Sequence, residues 1–289
     1  MPNLFSVNYD LATLYFLTDE LAKPFIQPYV TGRPSLLTES ELLTILIYNA
    51  LVMHQKTLKE IWKWVKKYHR KDFPKFPQYV AFVMQVNRCL PLMSDLLGLT
   101  FAKDKLNFVD STCLEVCKNH RADDHKVAKN IAKWGRNHQG WHFGFKMHTA
   151  INFFKQLTSI LFTPADVYDA QALPQLVTDY MKILVGDSHY GASVMRKHIW
   201  DRFHILIVAP PHYKQKTKLM TWWQNLLLNL RSKIEATFDI LKEHMHLTSS
   251  FPRSLTGYFT HYLRVLLGYQ FSFALQAIES GNLMLGTSF

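Results

Sequence analysis

Two short apolar runs constrain this chain more than any other feature: Lys182–Gly186, reading KILVG, and His204–Ala209, reading HILIVA. Neither alternates with polar residues, so each suits a strand covered on both faces. The residues between them read as helical, and a strand, a helix and a second strand in that order imply a crossover with parallel pairing. A third run, Leu106–Val109, is of the same kind. His142–Asn152 and Gln156–Phe162 alternate with period two, which predicts an antiparallel hairpin. The expected fold is α/β, a mixed sheet with flanking helices, closing with helices from about Trp222 to His246 and Leu255 to Glu279.

The first hundred residues have another character. Thr38 and Glu41 form a capping box ahead of Leu42, Leu43, Leu46, Ile47, Ala50 and Leu51 at helical spacing. Thr57–Tyr68 predicts a second helix, with Leu58, Ile61, Trp62 and Val65 on one face and Lys59, Lys63, Lys66 and Lys67 on the other. After Pro74 and Pro77, Gln78–Leu97 reads as a third helix and carries Asn87 and Arg88. Short helices with a basic surface match a helix-turn-helix type DNA reader, and equally a plain helical bundle. Gly98–Lys105 reads as a linker, dividing an all-α region at 1–100 from a catalytic domain at 101–289 that includes the C-terminal helices.

Charge narrows the class of partner. Lysine and arginine number 33 against 22 acids, a formal net charge of +11, which suits a polyanion. Three cysteines (Cys89, Cys113, Cys117) are too few for a disulfide framework and point to a reducing cytosol. The opening MPNLFSVNYD lacks the basic and apolar regions of a signal peptide, and no uninterrupted apolar stretch is long enough to span a membrane. DNA is therefore the expected partner.

The chemistry starts at NFVDST, where Asp110 occupies a position at which the core pattern asks for an apolar side chain. A carboxylate there needs a hydrogen-bonding partner, a cation or a metal. Asp187 repeats the arrangement after KILVG, so two acids stand at the ends of two central strands. In LRSKIEATFDILK, Arg231 and Glu235 are four apart and Lys242 follows seven later, placing all three on one helical face. Alone, Glu235 reads more readily as half of a surface ion pair on an ordinary amphipathic helix. Three converging carboxylates would repel one another, and divalent metal relieves that repulsion. Two Mg²⁺ or Mn²⁺ ions on Asp110, Asp187 and Glu235 would serve phosphodiester chemistry, with Arg231 and Lys242 clamping phosphates.

These motifs resemble the DDE transposases of bacterial insertion sequences. The order VDST, hairpin, VGDSHYG and helix-borne glutamate is similar to that family's, and R-x3-E-x6-K (Arg231, Glu235, Lys242) to one large branch of it. GWHFGFKMH (Gly140–His148) and TPADVYDAQAL (Thr163–Leu173) also look familial. Leu228 stands where that branch usually has a tyrosine. The resemblance implies a ribonuclease-H-like core with Asp110, Asp187 and Glu235 as catalytic metal ligands. It further implies cleavage at the element's ends, transfer of the freed 3′-hydroxyl to target DNA, recognition of terminal repeats by the N-terminal helices, and at least a dimer on DNA. The rivals are a nuclease of the same fold without strand transfer and a non-catalytic DNA-binding protein.

Further DNA contacts are expected from Lys146 and His148 on the hairpin, where a solvated strand face is equally compatible, and from Arg136, Lys63, Lys67 and Arg88. Cys113, Cys117, His120 and His125 lack usual zinc spacing, and packing is the default for the cysteines. Trp222 and Trp223, after Lys214, Lys216 and Lys218, read as core residues starting a helix in preference to a platform for a flipped base. His189 and Tyr190 stand where they would adjust the surroundings of Asp187.

Overall fold

The computed structural model describes residues 10–26, 34–137, 140–211 and 219–280. The chain forms two compact units, one of Met1–Thr100 with Leu241–Phe289 and the other of Phe101–Ile240.

The first unit is helical, with α1 Leu11–Ala22, α2 Glu39–Tyr48, α3 Leu58–Tyr68, α4 Tyr79–Arg88 and α5 Leu90–Leu99 from its N-terminal part. Both α2 and α3 open with capping boxes. Thr38 Oγ1 accepts from Glu41 N–H at 3.1 Å while the Glu41 carboxylate takes Thr38 N–H at 2.7 Å, and Thr57 and Glu60 repeat the exchange. The buried stripe of α3 is Ile61, Trp64 and Val65. Trp62 is half-buried, its indole N–H donating to the Pro77 carbonyl at 3.0 Å. The expected single helix over Gln78–Leu97 is instead two, divided at Cys89. Pro91 sits in the first turn of α5, where its missing N–H costs nothing, whereas inside a continuous helix it would break the ladder.

In the second unit β1 Leu106–Glu115, β2 Lys133–Asn137, β3 Gly140–Ile151, β4 Leu157–Pro164, β5 Ile183–Val185 and β6 Leu206–Val208 form one mixed sheet. Its order is β2-β3-β1-β5-β6, with β4 on the same edge of β3 as β2. The pairings of β1 with β5 and β5 with β6 are parallel, as the continuous apolar runs require, and the β3–β4 hairpin is antiparallel. Strand β1 does not stop at Val109: it continues to Glu115 because β3 supplies an antiparallel partner along that whole stretch. Strand β2 carries no clear alternation and was not expected; its partner is the first half of β3.

Helices α6 Asp169–Leu176 and α7 Ser193–Phe203 cover one face, where Val109, Leu173, Leu184, Ile199 and Ile207 share a core. The helix expected from Trp222 to His246 is broken into α8 Trp222–Asn229, a turn at Leu230–Arg231, α9 Ser232–Asp239 and a π-helical turn Ile240–His244. The chain crosses between units within that π turn. The last helix, α10 Leu255–Glu279, belongs to the helical unit, not to the sheet unit expected from sequence. Tyr258, Tyr262, Leu266 and Tyr269 are among its fully buried residues, and a helix apolar around most of its circumference needs neighbours on several sides. It finds them in α2, α4 and α5.

Gly144 explains one glycine of GWHFGFKMH. A Cβ there would stand 2.2 Å from the Leu114 carbonyl oxygen, a backbone atom fixed by the β1–β3 ladder. Gly144→Ala is expected to destabilise the chain by about 1–3 kcal/mol, the usual range for overpacking. A lowered urea midpoint checks this.

Candidate active site

The register of β1 and β5 positions two acids. Phe108 pairs with Val185 in the parallel ladder, and the ladder ends there. Asp110 and Asp187 each lie two residues further on, level with one another just past the carboxyl end of that parallel ladder, Asp110 within the continuing β1 and Asp187 after β5. Such strand ends are where open α/β sheets present their functional groups. Gly186 permits the turn: a Cβ would sit 2.7 Å from the Tyr190 ring and 3.0 Å from Val109 Cγ1. Asp187 then caps a 3-10 turn, accepting from His189 N–H at 2.9 Å and meeting His189 Nδ1 at 2.7 Å. That contact raises the His189 pKa, despite partial burial. Tyr190 is fully buried in the sheet core.

Asp110 is a carboxylate under stress. Its side chain is 19% exposed. Burial is the main cause of a pKa pushed up to about 6, and the charges of Asp187 and Asp169 push the same way. Opposing them are the Ser111 N–H at 2.8 Å and the Arg231 guanidinium at 3.5 Å.

Arg231 joins the third acid to this pair. At the N-terminus of α9, which packs on β1, its guanidinium meets Glu235 Oε1 at 2.5 Å and Asp110 Oδ2 at 3.5 Å. One cation thus bridges a half-buried and an exposed carboxylate, since the Glu235 side chain is 53% exposed. Asp239 is exposed, and Glu243 lies in the π turn.

Asp169 was missed by sequence reasoning. It begins α6, and its Oδ1 accepts from Ser111 Oγ at 2.8 Å and from Lys146 Nζ at 3.3 Å, with His148 Nδ1 at 3.5 Å. The available signal was an acid at a strand-to-helix turn within TPADVYDAQAL, the same context as Asp187.

Oxygen-only donors, two level carboxylates and an acid whose pKa is raised by burial and by neighbouring like charges form a set that fits a hard divalent cation. The set is not closed: among the described residues, no group of three or more His, Cys, Asp or Glu stands arranged around one ion. Arg231 provides the positive charge between Asp110 and Glu235.

The family profile described as "Transposase DDE domain" matches residues 101–255, more than half of the chain. The chain belongs to the DDE transposase family. A search of curated proteins found no match. The mixed sheet with flanking helices, preceded by N-terminal helices, is consistent with the ribonuclease-H-like core of DDE transposases.

The remaining residues singled out in the transposase sequence are dispersed. Lys146 donates to the Val167 carbonyl at 2.9 Å, and His148 is fully buried with Nε2 2.9 Å from Thr163 Oγ1. Neither lies on a solvated strand face, because α6 covers that side of β3. Burial lowers the His148 pKa to about 4, so it is neutral at pH 7. Arg136 is exposed in β2 with its guanidinium 5.8 Å from the Trp141 ring. Lys242 falls in the π turn Ile240–His244, outside α9, which carries Glu235. Trp222 and Trp223 do start α8, but they are not core residues: Trp222 is 78% exposed, and no residue of α8 is buried. Lys214, Lys216 and Lys218 lie outside the described residues. Cys113 lies in β1, and its sulfur accepts from Asn137 Nδ2 at 3.6 Å. Lys63, Lys67 and Arg88 are exposed on α3 and α4. Among the described residues, no helix is long and apolar enough to cross a membrane.

Proposed function

We propose that this DDE transposase mobilises an insertion sequence, cutting DNA at the element's ends and joining the freed 3′-hydroxyl to a target. The observation that carries the reading is the level placement of Asp110 and Asp187, with Glu235 linked to Asp110 through Arg231. Asp110, Asp187 and Glu235 are the proposed catalytic residues, and would hold Mg²⁺ or Mn²⁺. A pair of such ions would activate the attacking hydroxyl and neutralise the leaving oxygen of an in-line displacement.

The chain's own groups do the positioning. Arg231 neutralises two of the acids and presents a planar fork suited to a phosphate, so it can hold the site's charge before DNA binds and pair a phosphate oxygen afterwards. His189 fixes the Asp187 carboxylate in its turn, and the buried Tyr190 ring packs beneath. Asp169, with Lys146, His148 and Ser111, ties β1, β3 and α6 together beside Asp110. Lys242 and Arg136 are proposed as further phosphate contacts. Two ends must be joined in one event, so the active species on DNA is at least a dimer.

The helical unit is proposed to recognise the terminal repeats through Lys59, Lys63, Lys66, Lys67 and Arg88, all exposed. Phosphate contacts release counterions, so affinity should fall steeply with salt. Lys63→Ala and Lys67→Ala in the full chain are each expected to weaken binding and reduce the log–log salt slope by about 1. Fluorescence anisotropy at several salt concentrations checks this; a slope indifferent to both changes removes these lysines from the interface.

Incubation with labelled element ends and a target plasmid tests the whole reading. Joined products support it, whereas nicking without joining indicates a nuclease of the same fold.

A further inference from the structure

The helical unit contains a cavity of about 490 Å³, lined by the start of α3, the length of α4 and the start of α10. That size suits a small organic ligand. Its lining includes Lys56, Lys59, Arg253 and Arg264 and contains no aspartate or glutamate.

Arg264 is the most constrained of these charges. It is 2% exposed, and its guanidinium donates to Asn49 Oδ1 at 3.2 Å and to the Gln55 carbonyl at 2.7 Å. It also meets His261 Nδ1 at 3.2 Å, while His261 Nε2 lies 2.9 Å from the His246 carbonyl. His261 therefore donates from Nε2 and accepts at Nδ1, a neutral tautomer consistent with a pKa lowered to about 3 by burial. Every hydrogen-bond partner of Arg264 among the described residues is neutral. Burial lowers its pKa to about 10, with Glu60 opposing, and it remains charged at pH 7. A buried cation without a paired anion is costly, and the cavity beside it is where an anion can approach.

The other walls are apolar. Val80, Met84 and Phe251 line the cavity while remaining exposed, and Tyr79 and Val83 adjoin them. Exposed apolar groups gathered around a basic cavity call for an occupant that joins a flat apolar body to an anion. The N-terminus of α10, with no acid in its first turn, adds partial positive charge at the Ser254 wall.

We propose that this cavity receives one unpaired nucleotide of a DNA strand, its phosphate against Lys56, Lys59 and Arg253 and its base against Met84 and Phe251. The proposal rests on the reading that the chain acts on DNA. A net charge of +11 and aromatic walls favour a strand over an acidic peptide.

The test compares a blunt duplex with the same duplex bearing a short single-stranded tail that contains 2-aminopurine, using the full chain. The wild-type chain is expected to bind the tailed duplex about tenfold more tightly, the equivalent of one stacked base, and to change the probe's fluorescence. Met84→Glu, an exposed position, introduces an acid into the basic cavity and should remove that preference while leaving blunt-duplex binding unchanged. Arg253→Gln should reduce the preference, and serves alone if Met84→Glu fails to fold. Equal binding of both duplexes by the wild type, or a preference that survives these substitutions, overturns the proposal alone. Binding of neither duplex overturns the DNA reading as well. An acidic, aromatic peptide that occupies the cavity while the tail does not assigns it to a protein partner and also overturns the proposal.

Discussion

Substituting Asp110 or Asp187 by asparagine is expected to lower DNA cleavage in Mg²⁺ by at least about 10³-fold while leaving DNA binding largely intact. A loss of that size is about 4 kcal/mol of barrier, at about 1.36 kcal/mol per tenfold. An amide keeps the shape of the side chain and removes the negative charge that a hard cation requires. Thermal denaturation separates this outcome from simple unfolding. The Asp110 pKa is higher in the folded chain than its ordinary 3.8, so ionisation weakens the fold as pH rises from about 4, fully so above about 6. At neutral pH, Asp110→Asn should therefore melt no lower than the wild type. Mn²⁺ should raise the wild-type melting temperature by mass action, and that rise should vanish in the variant. Cleavage at the wild-type rate by either variant removes that residue from the catalytic set.

Glu235→Gln is expected to eliminate both cleavage and strand transfer, whereas Asp239→Asn should retain most of the activity. Both acids lie on α9, and helical position alone does not separate them. The ion pair does: Glu235 is joined through Arg231 to Asp110, while Asp239 is an exposed residue at the helix end. Arg231→Ala should slow cleavage roughly 10²-fold, about 2.7 kcal/mol, by leaving a phosphate without its fork. Mn²⁺ binding should persist in that variant, because its removal vacates the space between two carboxylates and takes away no oxygen donor. Cleavage rates and Mn²⁺ titrations on the folded variants decide between the acids. An inactive Asp239→Asn beside an active Glu235→Gln would overturn the third assignment.

What could be read without coordinates was what depends on neighbours in sequence. The capping box at Thr38 operates within four residues, and period-two alternation identified the β3–β4 hairpin. KILVG and HILIVA pointed to parallel strands because a short, largely apolar run on either side of a helical segment suits a central strand with a crossover. Asp110 and Asp187 were conspicuous for the same reason, as charges set beside such runs.

Tertiary structure decided everything that required a partner far along the chain. Strand β1 outlasts its apolar run because β3 offers hydrogen bonds as far as Glu115, which no local pattern encodes. Helix α10 reads from sequence as part of the sheet unit, and only the neighbours able to cover most of its circumference show that it packs in the helical unit. Asp169 was indistinguishable from a helix-starting acid until the fold brought Ser111, Lys146 and His148 to one of its oxygens. Lys242 reads from sequence as part of one regular helix with Glu235, whereas the chain winds as a π turn over Ile240–His244. Sequence by itself thus determined the strand-borne acids and the helical signals around them, since propensity and charge are local. Which groups share a field or a hydrogen bond was decided by long-range pairing and packing, whose free energy is realised only when distant segments meet.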